Sequence, residues 1–237
     1  MQMDEGMAGS IAAGEGMARE GVARVLVVDD HPVVREGLIG LIGRCERYEV
    51  CAEAESIEMA LKLAEQVNPD LVLVDLLLGG QDGLKLVRDY RSGGGRAPVL
   101  VISMQDEMLY AERALRAGAQ GYLMKDADPK HILLAMDALS KGELYVSDSV
   151  NKKMLRKFLD HPEEPDSELK GLTDRELHVF QCIASGRDMH DIAAAMGLSV
   201  KTVETYRENI KRKLGLSSAR ELVRYSLAWS QGRDGSR

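Results

Sequence analysis

The chain has 237 residues, 45% of them apolar and 29% charged, which is enough material for packed cores in two domains. No apolar run approaches the roughly 18 residues of a membrane span, and the Gly-, Ala-, Met- and acid-rich start lacks the basic and apolar stretches of a signal peptide. The formal charge of −7 is uneven: residues 171–237 hold 11 Lys+Arg against 8 Asp+Glu, or +3, leaving −10 on residues 1–170, so the two parts suit different partners.

Residues 1–22 read as a disordered tail, with Met17 an alternative start. From residue 24 to about 141, short apolar runs alternate with amphipathic helical segments. Val25–Val28 is continuously apolar, as a strand buried on both faces requires. Pro32 opens a helix to about Arg44 with Val33, Val34, Leu38, Leu41 and Ile42 at helical spacing. Tyr48–Glu53 alternates weakly and reads as a strand nearer the sheet edge. Ser56 caps a helix with Ile57, Ala60, Leu61 and Ala64 inward, and Asn68-Pro69 stops it before the strand Leu71–Val74. A helix over Gly83–Arg91, a strand over Val99–Ile102, a helix over Asp106–Ala117, a strand over Gly121–Met124 and a helix opened by Pro129 complete five β/α units. That alternation predicts a parallel sheet with helices on both faces.

Residues 23–144 form this α/β domain, and 145–169 read as a linker with room for a helical piece over 150–159 and an acidic, proline-containing hinge at His161–Asp166. Residues 170–232 read as all-helical, followed by a short tail over 233–237. Thr173–Glu176 is a capping box, Asp191–Met196 a short helix, and Gly197-Leu-Ser199 a tight turn. Ser199 caps a third helix to about Leu214, and a second capping box at Ser218–Glu221 starts a helix to about Trp229. A helix, a glycine-containing turn and a longer basic helix outline a helix-turn-helix. Cys45, Cys51 and Cys182 are too few and too dispersed for a disulfide framework or a zinc site, and read as reduced, buried thiols of a cytoplasmic protein.

Four of the apolar runs end in chemistry: Asp29-Asp30, Asp75, Ser103 and Lys125. In a parallel sheet, strand ends of one polarity meet at one edge, where ligands of open α/β sheets bind. Taken singly, an Asp there is often a helix cap, a Ser a turn residue and a Lys a solvated charge. All four together suit a divalent cation and a phosphoryl group. Mg²⁺ prefers hard oxygen ligands, which Asp29, Asp30 and Asp75 supply. Asp75 stands alone at its strand end and is the candidate nucleophile, since carboxylates form acyl phosphates. Lys125 would neutralise phosphoryl oxygens and Ser103 would donate to one of them.

Residues 24–141 resemble the receiver domain of bacterial response regulators, through Val27-Val-Asp-Asp-His31, Asp75, Asp82-Gly83, Ser103 and Gly121-Tyr-Leu-Met-Lys125. The resemblance implies a flavodoxin-like fold, a five-stranded parallel sheet of order 2-1-3-4-5. It implies phosphorylation of Asp75 by a histidine kinase, Mg²⁺ held also by the backbone carbonyl of Leu77, and Ser103 and Tyr122 as switch hydroxyl and switch aromatic. Where the family often has Met-Pro three residues after the acceptor, this chain has Leu78-Gly79, which frees a loop that proline would stiffen. Residues 171–230 resemble the LuxR-type DNA-binding domain of NarL/FixJ-like regulators, through Leu172-Thr-Asp-Arg-Glu176, Asp191-Ile-Ala, Leu198–Arg207 and Ile210-Lys-Arg-Lys-Leu-Gly-Leu216. That implies an all-α, four-helix, helix-turn-helix domain binding double-stranded DNA.

On the third helix, Val203, Ile210 and Leu214 keep to the core side. Lys201, Thr205 and Arg207 are the best placed to reach a groove, with Thr202 beside them. Lys211, Arg212 and Arg187 suit phosphates, which position without reading sequence. Glu204 could accept from a cytosine amino group, and Tyr206 could touch phosphate or simply pack. A domain charge of only +3 implies modest nonspecific affinity, so specific binding should need a homodimer on two half-sites.

The leading expectation is a phosphorylation-gated transcription regulator, not an enzyme beyond Mg²⁺-dependent self-phosphorylation and dephosphorylation. The alternative is a regulator controlled by a protein partner or constitutive dimerisation. A nucleotide-binding enzyme is disfavoured, because Asp29-Asp-His-Pro32 stands where a glycine fingerprint would follow the first strand.

Overall fold

The structure, a computed structural model, describes residues 21–159 and 169–234. The tail over 1–20 with Met17, the hinge at His161–Asp166 and residues 235–237 lie outside them. Seven strands follow in chain order: β1 (Ala23–Val28), β2 (Tyr48–Ala54), β3 (Leu71–Val74), β4 (Leu77–Leu78), β5 (Gln81–Asp82), β6 (Val99–Ser103) and β7 (Gly121–Met124). The main sheet is parallel, in the order β2-β1-β3-β6-β7. With the two-residue strands set aside, this is the predicted 2-1-3-4-5 order with β2 at an edge. The addition is β4–β5, an antiparallel hairpin turned by Gly79 (φ +53) and Gly80 (φ +73). Two consecutive positive φ values are what a tight hairpin turn of right-handed twist demands.

Alternation along the strands sets the two faces. Val25, Val27, Leu71, Leu73, Leu100 and Ile102 pack with Leu38 and Ile42 of α1 (Pro32–Ile42) and with Ile132, Met136 and Leu139 of α5 (Pro129–Ser140). Leu26, Val28, Val72, Val74, Val99 and Val101 face α2 (Ile57–Val67), α3 (Gly83–Ser92) and α4 (Glu107–Ala117). Each such aliphatic side chain contributes about 1.5–3 kcal/mol on full burial. One expectation fails here: Val33 is 81% exposed. It sits at the first turn of α1, above the rim of the sheet, where no core reaches it; Leu61 is likewise only partly buried.

Within 145–169, Tyr145 forms a bridge with Gly121 at the open edge of β7, and α6 (Asp148–Leu159) lies along α4. Lys153 donates to the Met108 carbonyl at 2.9 Å, and Lys157 pairs with Glu112.

The C-terminal helices are α7 (Asp174–Ala184), α8 (Met189–Ala195), α9 (Val200–Lys213) and α10 (Ala219–Asp234). Phe180 sits at their centre, edge-on to Tyr225 and Trp229 with centroids 6.0 and 5.4 Å away, and Ile192, Val203, Ile210 and Leu222 close the core. The Thr173–Glu176 capping box forms with both reciprocal bonds. Three boundaries differ from the sequence reading. Helix α8 begins at Met189 because Asp188 caps it through the His190 and Asp191 amides. Helix α10 runs on to Asp234. At Ser218–Glu221 only half of the box is present: Ser218 Oγ accepts from the Glu221 amide, while Glu221 turns to the Ser217 amide and hydroxyl, both at 2.7 Å. Cys45 and Cys51 are half-buried rather than buried, and all three cysteines are free.

Candidate phosphoryl-transfer crevice and DNA-binding surface

The parallel sheet brings the predicted residues to one edge. Asp29 and Asp30 follow β1, Asp75 follows β3, Ser103 closes β6 and Lys125 follows β7. Asp29, Asp75 and Ser103 are buried. Lys125 Nζ lies 2.7 Å from Asp29 Oδ2 and 2.7 Å from Asp75 Oδ2, so one ammonium bridges two carboxylates. The His31 amide donates to Asp29 Oδ1 at 2.8 Å, and the Gly79 amide donates to Asp30 Oδ2 at 2.7 Å. Proline, often found at this position in the family, has no such N–H. The departure noted in the sequence therefore has a structural role, tying the β4–β5 hairpin to the acid pair. The Leu77 amide donates to the Asp75 carboxylate.

Burial pushes the Asp75 carboxyl above its ordinary value. The Lys125 charge and hydrogen bond oppose that shift, and the Asp29 charge adds to it. Burial disfavours the Lys125 ammonium, yet the two carboxylates outweigh it and hold its pKa up. Three carboxylates against one ammonium leave the crevice short of positive charge. Asp30 Oδ1 is buried without a hydrogen-bond donor, and His31 Nδ1 approaches it to 2.9 Å without the alignment of a bond. Oxygens of Asp29, Asp30 and Asp75 and a ring nitrogen of His31 all lie within 4.8 Å of one another. Clustered hard oxygens with an orphaned lone pair fit a small divalent cation.

Beside this cluster, Ser103 Oγ accepts from the Gln105 amide at 3.3 Å, and buried Tyr122 donates its hydroxyl to the Gln105 carbonyl at 2.7 Å. The residues that the resemblance marks as switch hydroxyl and switch aromatic thus both hold the backbone of Gln105.

That edge of the sheet also carries the helical domain. Arg113 of α4 donates to the Leu172 and Leu169 carbonyls at 2.8 and 2.9 Å and pairs with Asp174 at 2.9 Å. Arg88 of α3 pairs with Asp82 at 2.9 Å and approaches Asp174 at 3.6 Å. Gln105 Oε1 lies 2.9 Å from His178 Nδ1 of α7. Gly80 approaches the turn after α8 so closely that a Cβ there would lie 2.4 Å from the Met196 carbonyl oxygen. The sequence reading missed all of these contacts. The sequence carries little signal for them: at helical spacing His178 neighbours Asp174, Arg175, Gln181 and Cys182, a mostly polar face, and Asp174 reads only as part of a cap.

On α9, Val203 and Ile210 are fully buried, and Lys201, Glu204, Thr205 and Arg212 are exposed, as is Arg187 on the loop before α8. Thr202, Arg207 and Lys211 are partly covered; Thr202 bonds the Ser199 hydroxyl and Lys211 pairs with Glu208, both at 2.8 Å. Tyr206 packs against the core.

The matches to known proteins follow the same division. Residues 25–137 match the response regulator receiver domain, and residues 170–226 match the LuxR family of bacterial regulatory proteins. The nitrate/nitrite response regulator protein homolog of Haemophilus influenzae is 34% identical over 195 residues, 82% of this chain and 91% of that protein. The oxygen regulatory protein NreC of Staphylococcus haemolyticus is 34% identical over 209 residues, 86% of this chain and 96% of its own. A crystal structure of a LuxR-family two-component response regulator from Aurantimonas sp. SI85-9A1 superposes with a TM-score of 0.55 at 35% identity, covering 59% of this chain and 99% of that one. The chain belongs to the two-component response regulators that join a receiver domain to a LuxR-type DNA-binding domain. Its domain pair is that of a transcription regulator, not of a metabolic enzyme. Among the described residues no helix is long and apolar enough to cross a membrane.

Proposed function

We propose that this regulator is phosphorylated on Asp75 by a histidine kinase, and that phosphorylation controls sequence-specific binding to double-stranded DNA. The observation that carries this reading is the Lys125 ammonium bridging Asp75 and Asp29 at 2.7 Å, with Asp30 alongside. Asp29, Asp30, Asp75 and the Leu77 carbonyl would hold Mg²⁺, which supplies the charge that draws phosphoryl oxygens to the crevice. An Asp75 carboxylate oxygen attacks phosphorus in line. The new P–O bond forms as the P–N bond to the kinase imidazole breaks, and the imidazole leaves with the electron pair. Lys125, held on the Asp29 and Asp75 carboxylates, turns to the phosphoryl oxygens, and the Ser103 hydroxyl donates to one of them. Burial of Asp75 keeps water from competing with the incoming group.

Control follows from the docked arrangement. The turn preceding α9 lies against Gly80, and Arg113 and Gln105 hold the start of the helical domain. Drawing Ser103 toward a phosphoryl group shifts the segment bonded to Ser103 and Tyr122, and the docked state loses its fit. Released α9 then presents Lys201, Thr202, Glu204, Thr205 and Arg207 to a groove, with Arg187, Lys211 and Arg212 on phosphates and Tyr206 supporting the helix. The modest domain charge favours two copies on two half-sites. The test is selection of genomic fragments with and without a small-molecule phosphodonor. Wild type should enrich a defined fragment set only with the donor, and Asp75→Asn should enrich none. Equal donor dependence in Asp75→Asn would remove Asp75 as the acceptor.

A further inference from the structure

One residue touches both halves of the control system. The Gln105 amide donates to Ser103 Oγ at 3.3 Å and its carbonyl accepts from the Tyr122 hydroxyl at 2.7 Å. Its side-chain oxygen lies 2.9 Å from His178 Nδ1, across the domain boundary on α7. A carbonyl oxygen only accepts, so Nδ1 carries the imidazole proton. Nε2 is then the basic nitrogen, and the Cys182 thiol lies 3.8 Å from it, one turn along α7. His178 is 8% exposed, and burial together with Arg175 and Arg187 lowers its pKa to about 4, which keeps the ring neutral and the tautomer single at physiological pH. Gln105 therefore has its backbone fixed by the Ser103 and Tyr122 hydroxyls and its side chain fixed by a histidine that offers one donor in one direction.

The geometry points to Gln105 as the positioning residue that couples the Ser103–Tyr122 pair to the DNA-binding domain, through its hydrogen bond to His178. This inference rests on the phosphorylation reading above and names the bond through which it acts. Moving Ser103 or Tyr122 moves the Gln105 backbone, and the side-chain oxygen leaves a donor that α7 cannot re-aim. The bond exists only in the docked state. Removing it must therefore favour the undocked state, and with it whatever ligand of the crevice favours undocking, by the same factor.

The test uses the full chain, with Mg²⁺ and beryllofluoride as the phosphoryl probe. Two quantities are read: amide hydrogen exchange over residues 169–184, and the affinity for beryllofluoride. Gln105→Met keeps the length of the side chain and removes the acceptor; Gln105→Glu restores an acceptor oxygen. One neutral hydrogen bond corresponds to about a five-fold change in a docking equilibrium. Gln105→Met should raise exchange over 169–184 about five-fold and tighten beryllofluoride binding by a similar factor, while Gln105→Glu returns both toward wild type. His178→Ala should do the same as Gln105→Met, and the double variant no more. If exchange rises while beryllofluoride affinity stays at the wild-type value, undocking is not linked to the crevice: the coupling role is overturned together with the undocking step of control, while phosphorylation of Asp75 itself stands. If wild type itself binds no beryllofluoride in Mg²⁺, the phosphorylation reading falls first and takes the coupling role with it.

Discussion

Replacing Gly80 with alanine puts a methyl group 2.4 Å from the Met196 carbonyl oxygen, and backbone cannot rotate away as a flexible side chain could. Ordinary contact needs about 1 Å more, so the hairpin and the turn before α9 must separate by about that distance. Gly80 also has φ +73, where a non-glycine residue costs about 1–2 kcal/mol. Gly79 separates the two effects. It has φ +53, and a Cβ added there would meet no atom within 4 Å, so Gly79→Ala carries backbone strain without the clash. Overpacking of a closed contact costs about 1–3 kcal/mol, which predicts a roughly 5- to 150-fold rise in the undocked population for Gly80→Ala over Gly79→Ala. Amide exchange across residues 189–198 reads that population directly, and affinity of the unphosphorylated protein for a random-sequence duplex reads its consequence. Gly80→Ala should exceed Gly79→Ala in both. Indistinguishable variants would refute the idea that this hairpin bears on the helix-turn-helix.

Other outcomes follow from the same geometry. Lys125→Met leaves Asp29 and Asp75 buried without their shared cation and should destabilise the cation-free protein by about 3–5 kcal/mol in urea unfolding, with part of the loss recovered on adding Mg²⁺. His178 is neutral when folded, with its pKa lowered to about 4, whereas the unfolded chain takes up a proton below about 6.5. The native state thus binds fewer protons across that window, and stability falls as pH drops from about 6.5 to about 4, by up to about 3 kcal/mol. His178→Gln should flatten that part of the pH–stability curve. Arg212→Ala, if Arg212 meets phosphate, should weaken DNA binding about equally across sequences and reduce the salt slope by about one; Lys201→Ala should instead alter which fragments are selected.

The sheet was legible because its strands are short aliphatic runs with polar residues at their ends, and helices on both faces bury consecutive positions of the central strands. The crevice was legible for the same reason: parallel strands send Asp29, Asp30, Asp75, Ser103 and Lys125 to one edge whatever the helices do. The β4–β5 hairpin was not, because a two-residue strand has no periodicity and Gly79-Gly80 resembles any flexible loop. The exposure of Val33 depended on where the core ends, which helical spacing does not encode. Least legible was the contact between the domains. Gln105, Arg113 and Asp174 are polar residues on loops or helix surfaces, where a solvated side chain is the ordinary outcome, and only the fold brings them to Leu169, Leu172 and His178.

The central claim is that Asp75 takes up a phosphoryl group in a cation-dependent crevice. Peptide mass spectrometry after incubation with acetyl phosphate and Mg²⁺ addresses it most directly. The expected result is one phosphoryl group on the peptide containing Asp75, absent when the cation is chelated and absent in Asp75→Asn. A phosphoryl group found on another peptide, or uptake that persists unchanged without the cation, would contradict it.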